Sequence, residues 1–319
     1  MMPHVDADAL TIRRASPDDR ASVIGVAVRA LGWRGDERDR AFFAWKHDDN
    51  PFGASPGWVA VEGGRIVGFR TFLRWELARG AERLRMVRAV DTATDPDHQG
   101  KGIFRRLTQT AVAELTAAGY DAVFNTPNDQ SRPGYLKMGW TVLGRPTLAV
   151  RPCGPLPALR MARSRTGAEK WSEPTAVGQP AADALRGSGL ESLLATLPAP
   201  AGWATPRSPA YFRWRYGFGP LHYRALEVRG GLAIFRVRRR GPSREVALCE
   251  WLAPGPDRPA LRRLVHSAGD YVVACDLGAV HGLVRLPRLG PIVTWRPLAR
   301  PGVPALGDLA FRLGDLELF

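Results

Sequence analysis

The residues with the plainest chemical reading are Gln99-Gly100-Lys101-Gly102, inside the stretch 91–107, DTATDPDHQGKGIFRRL. A strand-like run enters Asp95-Pro96-Asp97, and a helical pattern begins near Ile103. A glycine-rich turn between a strand and a helix N-terminus presents unpaired backbone N–H groups to an anion. The helix dipole adds roughly half a positive charge at the same place. The expected donors are the N–H groups from Gly100 to Arg105, with charge-assisted contacts from Lys101 and from Arg105 or Arg106, or else those side chains simply face solvent. Asp91 is a second chemical group, a carboxylate in a strand otherwise built of Ala, Val and Thr. It is placed to take a proton, directly or through water, or equally to form an ion pair with Arg88 or with an arginine of the chain's second unit, residues 206–319. His98 lies in the turn and is expected to be solvated.

The elements that must position this turn follow from periodicity. Leu10 to Arg13 alternates as a first strand, and Ser16-Pro17-Asp18-Asp19 starts a helix that runs to about Leu31. Asp36 to His47 predicts a second helix with Phe42, Phe43 and Trp45 on its apolar side. Strands over 57–62 and 65–76 are joined by Gly63-Gly64, a primed hairpin turn, and 84–94 is the next strand. Ile103, Leu107, Ala111 and Leu115 share one face of a helix over 102–118, which Gly119 stops. A short buried strand at 121–125, a short helix at 131–138 and one or two strands in 141–151 complete an order β-α-α-β-β-β-α-β-α-β. Residues 152–205 are rich in Pro, Gly and Ser and predict a linker carrying one helix near 181–197. A second unit over 206–319 has the order β-β-β-α-β-β, with the Gly230-Gly231 hairpin echoing Gly63-Gly64. It has no glycine turn at the equivalent place, and the prolines of Ala253-Pro254-Gly255-Pro256 remove N–H donors that a phosphate would need.

The whole chain narrows the classes. Its 319 residues suffice for one large or two ordinary domains. No run of about 18 apolar residues occurs, so no membrane span is expected, and the amino-terminal MMPHVDADAL lacks the basic start and apolar core of a secretory leader. Cys153, Cys249 and Cys275 are too scattered for a disulfide framework or zinc site, and a reducing cytoplasm is expected. The formal charge of +14 comes almost wholly from arginine. It would suit an acidic partner, but the arginines are spread along the chain, and no stacking or groove-reading motif points to nucleic acid.

At this point the sequence resembles the GNAT superfamily, the GCN5-related N-acyltransferases. The family's CoA signature (Gln or Arg, two residues, Gly, one residue, Gly or Ala) is met by Gln99-Gly100-Lys101-Gly102-Ile103-Phe104, with Phe104 standing at the small-residue position. A second family pattern appears as Asn128 and Tyr135-Leu136-Lys137-Met138-Gly139-Trp140. The resemblance covers 10–151 well. The whole is similar to two-domain bacterial GNAT proteins and, distantly, to the amino-terminal part of the Eis aminoglycoside acetyltransferases.

The resemblance implies an α/β (α+β) fold with a mixed, mostly antiparallel sheet flanked by helices. It implies two such domains in tandem, a GNAT acyltransferase domain at 1–151 and a degenerate second one at 206–319. The implied activity moves an acetyl or longer acyl group from acetyl-CoA or another acyl-CoA, without a metal, to a primary amine of a small molecule or peptide. The donor would be held by Gln99, Gly100, Lys101, Gly102, Ile103, Phe104, Arg105 and Asn128, and by the backbone of Thr92, Ala93 and Thr94. In the family the strand carrying those three residues splays from the next, and the thioester lies in the gap. Tyr135 occupies the family's general-acid position. Some members place a Glu base eleven residues before the signature Gln. Arg88 stands there and accepts no proton, which leaves Asp91 as the candidate base. Asn125 is a turn or substrate residue, and Trp33, Phe42, Phe43 and Trp45 with the second unit would shape the acceptor pocket. Eis-type enzymes use a C-terminal carboxylate as base, which would make Phe319 a candidate, against its being an ordinary terminal strand. Other readings are a donor on an acyl carrier protein, which Phe104 and the basic surface would tolerate, and a non-catalytic acyl-CoA-binding regulatory module. Oligomeric state, monomer or dimer, is left open.

Overall fold

A computed structural model describes residues 9–164, 166–275 and 277–317. From the amino end come β1 (Thr11–Arg14), α1 (Arg20–Leu31), α2 (Glu37–His47), β2 (Gly57–Glu62), β3 (Arg65–Arg79) and β4 (Glu82–Thr94). Then follow α3 (Ile103–Ala117), β5 (Ala122–Asn125), α4 (Arg132–Lys137), β6 (Thr141–Gly144), β7 (Leu148–Pro152) and α5 (Pro155–Arg163). The middle holds β8 (Ser172–Glu173), β9 (Gln179–Pro180), α6 (Ala181–Ala184), α7 (Gly189–Thr196) and α8 (Pro209–Gly217). The rest is β10 (Arg224–Val228), β11 (Gly231–Arg240), β12 (Ser243–Leu252), α9 (Arg258–Ala268), β13 (Tyr271–Cys275), β14 (Val284–Leu286), β15 (Val293–Pro297) and α10 (Leu313–Leu316).

Two compact units result. The first holds the chain up to Leu77, Glu82–Val142 and Val293–Val303; the second holds Ala78–Ala81, Leu143–Ile292 and the chain from Pro304 on. The first unit is built on a sheet of order β1-β2-β3-β4-β5-β15-β6. Its inner strands read as near-continuous apolar runs because both faces are covered. Trp58, Ala60, Val67 and Val87 pack with the α3 residues Ile103, Leu107, Ala111 and Leu115 on one face. Val59 and Phe69 pack with Val23, Val26 and Ala27 of α1 and with Phe43 of α2 on the other, a register shift between β2 and β3 near Val67 separating Val67 from Phe69. β1 with β2, β2 with β3 and β5 with β15 are antiparallel, whereas β4 and β5 are parallel and α3 connects them as a crossover.

The second unit repeats this plan. Its main path runs β14-β7-β13-β12-β11-β10-β9, with β8 on β11, and its parallel pair, β12 with β13, is again connected by a helix, α9. Leu261, Leu264 and Val265 of α9 pack onto Phe235, Val246, Leu248 and Val272. Among buried charges, Glu317 takes Arg236 at 2.7 Å and Arg238 at 2.5 Å. Burial favours its neutral form, but the two arginines prevail and bring its carboxyl down to about 2.

The expected boundaries do not follow the sheets. β7, placed by the sequence reading at the end of the first domain, pairs with β13 and β14 in the second sheet. β15, placed in the second domain, pairs with β5 in the first sheet. Alternation within a strand reports which residues face a core and not which strand lies beside it. The expected linker is likewise structured: β8 and β9 pair with β11 and β10, and the single helix expected near 181–197 is two, α6 and α7, broken around Arg186-Gly187-Ser188.

Candidate active site

Site residues in the first unit are carried by β4, the turn after it, α3 and α4. Pairing of β4 with β5 is registered at Met86, Val87 and Arg88 against Ala122, Val123 and Phe124, while β4 itself runs on to Thr94. β5 turns instead to β15, with Asn125 opposite Thr294. Residues 89–94 therefore run on beyond the registered pairing with β5. A cavity of about 650 Å³ lies in this unit. Thr92, Ala93 and Thr94 line it, together with Gln99, Gly100, Gly102, Ile103, Phe104 and Arg105 of the turn and helix start, and Asn128 and Tyr135. These are eleven of the thirteen site residues expected from the sequence. Lys101 and Asp91 are the two the cavity wall leaves out.

The turn is shaped by backbone chemistry. Asp95 caps it, accepting from the Asp97 N–H at 3.2 Å and from Arg29 Nε at 2.8 Å. Gly100 and Gly102 have φ of +78° and +72°. The left-handed conformation is open to glycine and strained for most other residues. Gly102 is also the N-cap of α3, and no side chain caps the helix. The first intrahelical bond runs from Arg106 N–H to the Gly102 carbonyl at 3.0 Å, so the N–H groups of the first turn before it have no acceptor within the helix. In the second unit the corresponding helix, α9, is closed by its own carboxylate. Asp257 accepts from the N–H groups of Ala260 at 3.1 Å and Arg229 at 3.0 Å, which hold its carboxyl below the usual value. Pro259 removes a further donor there.

Lys101 departs from its expected role. Its ammonium is ion-paired with Glu62 at 3.1 Å, and His98, expected to be solvated, takes the same carboxylate at 3.0 Å and lines the cavity. Arg106 is bonded to the Leu10 carbonyl, which leaves Arg105 as the arginine of this turn on the cavity wall.

Asp91 departs further. Its φ is +26°, and its Oδ2 lies 2.8 Å from both Lys46 Nζ and His47 Nε2, two side chains of α2 that are themselves buried. Burial favours the neutral acid, but the charge of Lys46 and the hydrogen bond from His47 hold the carboxyl far below the usual range. A carboxylate so engaged is a poor proton acceptor. Burial pushes the His47 imidazole below its usual value against the pull of Asp91, so the neutral ring donates Nε2–H to the carboxylate. The sequence reading looked for an arginine partner; the grip comes from a helix 44 residues upstream.

Tyr135 is buried on α4, and its ring meets Phe104 edge-on at 5.4 Å. Gly134 makes room for that contact: a Cβ there would come within 3.1 Å of the Phe104 ring. The large residue at the signature's last position thus has a matching gap one residue before the tyrosine. Asn128 Oδ1 accepts from the N–H and hydroxyl of Ser131, both at 2.8 Å, and so orders the approach to α4. Asn125 is not a turn residue; it is buried and its side chain is hydrogen-bonded to the Thr294 hydroxyl across β5 and β15. Phe42, Phe43 and Trp45 are buried in packing contacts and none of them, nor Trp33, lines the cavity. Arg70, which carried no expectation, donates to Tyr135 Oη at 2.7 Å. No spacing rule links it to position 135. Phe319, the proposed C-terminal base, lies outside the described residues.

The described residues contain no cluster of metal-ligating side chains and no helix long and apolar enough to cross a membrane. A mixed sheet in which a parallel pair flanks a glycine-capped crossover helix is the α/β arrangement on which the candidate site is built. Residues 11–143 match the family model described as the acetyltransferase (GNAT) domain. No curated protein matches the chain. Among solved structures it is similar to a GCN5-related N-acetyltransferase from Kribbella flavida, at 14% identity and a TM-score of 0.57 over 91% of this chain and 72% of that one. A conserved protein from Enterococcus faecalis gives 10% identity and a TM-score of 0.59, over 91% and 73%. Eis1 from Mycobacterium abscessus gives 14% and 0.56, over 91% and 74%. At these identities the likeness concerns the fold.

Proposed function

We propose that the protein is an N-acyltransferase that moves an acetyl or longer acyl group from a CoA thioester to a primary amine of a small molecule or peptide. The observation that carries this reading is that one cavity is lined at once by the glycine turn, by β4 beyond its pairing with β5, and by Tyr135. The uncapped N–H groups at the start of α3 suit the donor's pyrophosphate, and Arg105 adds charge on the same wall. The backbone of Thr92 to Thr94 would receive the pantetheine as a strand receives a neighbour, and would polarise the thioester carbonyl. The amine attacks that carbonyl, and Tyr135 gives its proton to the departing sulfur. Among the described residues no Asp or Glu lines the cavity; the amine arrives neutral, or gives its proton to water or to the His98 imidazole on the same wall.

Two measurements test this. Acetyl-CoA or a longer acyl-CoA raises the unfolding temperature, as any ligand of the native state must. If none does, the donor is carried by another molecule, and phosphopantetheinylated carrier proteins become the next probes, a reading to which the engagement of Lys101 by Glu62 gives some support. Tyr135→Phe lowers kcat by about 100-fold while leaving donor binding intact. Full turnover in that variant would remove Tyr135 from the chemistry, and absence of turnover in the wild type alongside tight acyl-CoA binding would favour the non-catalytic module.

A further inference from the structure

Arg70 lies in the interior of β3 with no exposed surface. Its guanidinium is enclosed by rings, 4.6 Å from the centre of Phe72, 5.3 Å from Phe104 and 5.2 Å from Tyr135. Nη2 donates to Tyr135 Oη at 2.7 Å, whereas Nε and Nη1 are buried with no hydrogen-bond partner. Among the described residues no carboxylate pairs with it. A buried cation with one hydrogen bond and no counter-charge weakens a fold, and contact with three ring faces offsets only part of that. An apolar residue would fill the same space in a strand interior at less cost. The negative charge that this guanidinium lacks at rest is the charge that acid catalysis by its one partner would create.

We propose that Arg70 is the positioning residue for proton transfer by Tyr135. The inference rests on the acyl-transfer reading above. By donating to Oη, the guanidinium makes that oxygen an acceptor on its inner side, so the phenolic hydrogen is directed to another acceptor. As the new C–N bond forms, the thioester C–S bond breaks and sulfur keeps the electron pair. The Tyr135 O–H bond breaks, its proton goes to sulfur, and the phenolate oxygen is left 2.7 Å from Arg70 Nη2. The proton released by the amine returns to the phenolate through water, so the sum is an amide and a thiol. Arginine suits the task because its planar guanidinium stays charged when buried and stacks on rings while it donates.

The test is a double-mutant cycle. Thiol release from acetyl-CoA is followed with spermidine and a lysine-containing peptide as acceptor probes, and folding is checked by thermal unfolding. Arg70→Met lowers kcat by about 10- to 100-fold with KM for acetyl-CoA within about twofold, and Arg70→Lys recovers part of the loss. In a Tyr135→Phe background, Arg70→Met changes kcat by less than about twofold. A second readout needs no turnover: in thermal unfolding the losses from Arg70→Met and Tyr135→Phe are non-additive, because each removes the same buried hydrogen bond. The proposal is overturned if Arg70→Met slows the Tyr135→Phe enzyme as much as the wild type, or if the two stability losses simply add. Absence of thiol release by the wild type with every probe overturns the acyl-transfer reading instead, and the stability cycle still decides the coupling of Arg70 to Tyr135.

Discussion

The two carboxylates beside the glycine turn show how much a residue's role depends on what surrounds it. Asp95 and Asp91 are four positions apart, and both are held by cations, but Asp95 caps a turn while Asp91 holds a strained strand. A residue other than glycine at φ of +26° persists only where its surroundings over-determine it. Lys46 and His47 supply that constraint immediately before the residues that line the cavity. Asp91→Asn therefore acts on stability first. It leaves buried Lys46 without its full counter-charge, and denaturant unfolding should show a loss of about 3 kcal/mol. A pure base would instead lose turnover at unchanged stability. The same cluster sets a pH dependence. The folded His47 binds a proton less readily than the unfolded one, so the unfolded state gains protons as pH falls through about 6.5, and stability falls with it. The Asp91 contribution persists to lower pH, because its carboxyl is held below its unfolded value, and is lost only as the medium becomes strongly acid. Unfolding free energy measured from pH 7.5 to 5.5 should decline in the wild type and decline less in His47→Gln.

At the scale of elements, the contrast between α3 and α9 is the informative one. Both are crossover helices between parallel strands, and both follow a long antiparallel strand. α3 begins on a left-handed glycine with no side-chain cap, whereas α9 begins on Asp257, whose carboxylate occupies the N–H groups. One helix start is open to an anion and the other already holds one, which gives the absence of a second glycine turn a physical meaning. Gly102→Ala tests the open end. A Cβ there meets nothing within 4 Å, so any loss comes from φ of +72° and not from crowding. Placing alanine in the left-handed region costs about 1–2 kcal/mol. Relaxation of the turn should weaken acetyl-CoA binding in calorimetry, while Gly219→Ala, a glycine with equally open space and no positive φ in the second unit, should leave binding unchanged.

At the scale of the whole molecule, the chain does not divide into consecutive domains. β15 completes the first sheet from beyond residue 290, and β7 completes the second from before residue 153. A fragment ending at 151 would lack the strand that pairs with β5 and would carry away one belonging to the other sheet. It would expose two unpaired strand edges, an aggregation hazard. Residues 1–151 expressed alone should be insoluble or lack a cooperative thermal transition. A soluble, cooperatively folding 1–151 fragment would show that β15 is dispensable to the first sheet.

Local physics is what the sequence alone determined. The helix from Ile103 to Ala117, the hairpin at Gly63-Gly64 and the element order up to β6 rest on periodicity and turn chemistry within short windows, and the structure has them. Eleven of the thirteen expected site residues share one cavity for the same reason: the turn, its flanking strand and the start of α4 are each short-range features. Tertiary structure decided the rest. The Lys46–His47 grip on Asp91, the Arg70 bond to Tyr135 and the place of β15 beside β5 join residues 44, 65 and 169 positions apart. A strand's pattern states that it has a buried face and a free edge. It does not state which distant strand will satisfy that edge, because any segment of matching length and polarity could do so. The glycine turn was legible because its chemistry lies in its own backbone; what its neighbours Asp91 and Tyr135 can do was not, because their ionisation and hydrogen bonding are set by side chains that only the fold brings near.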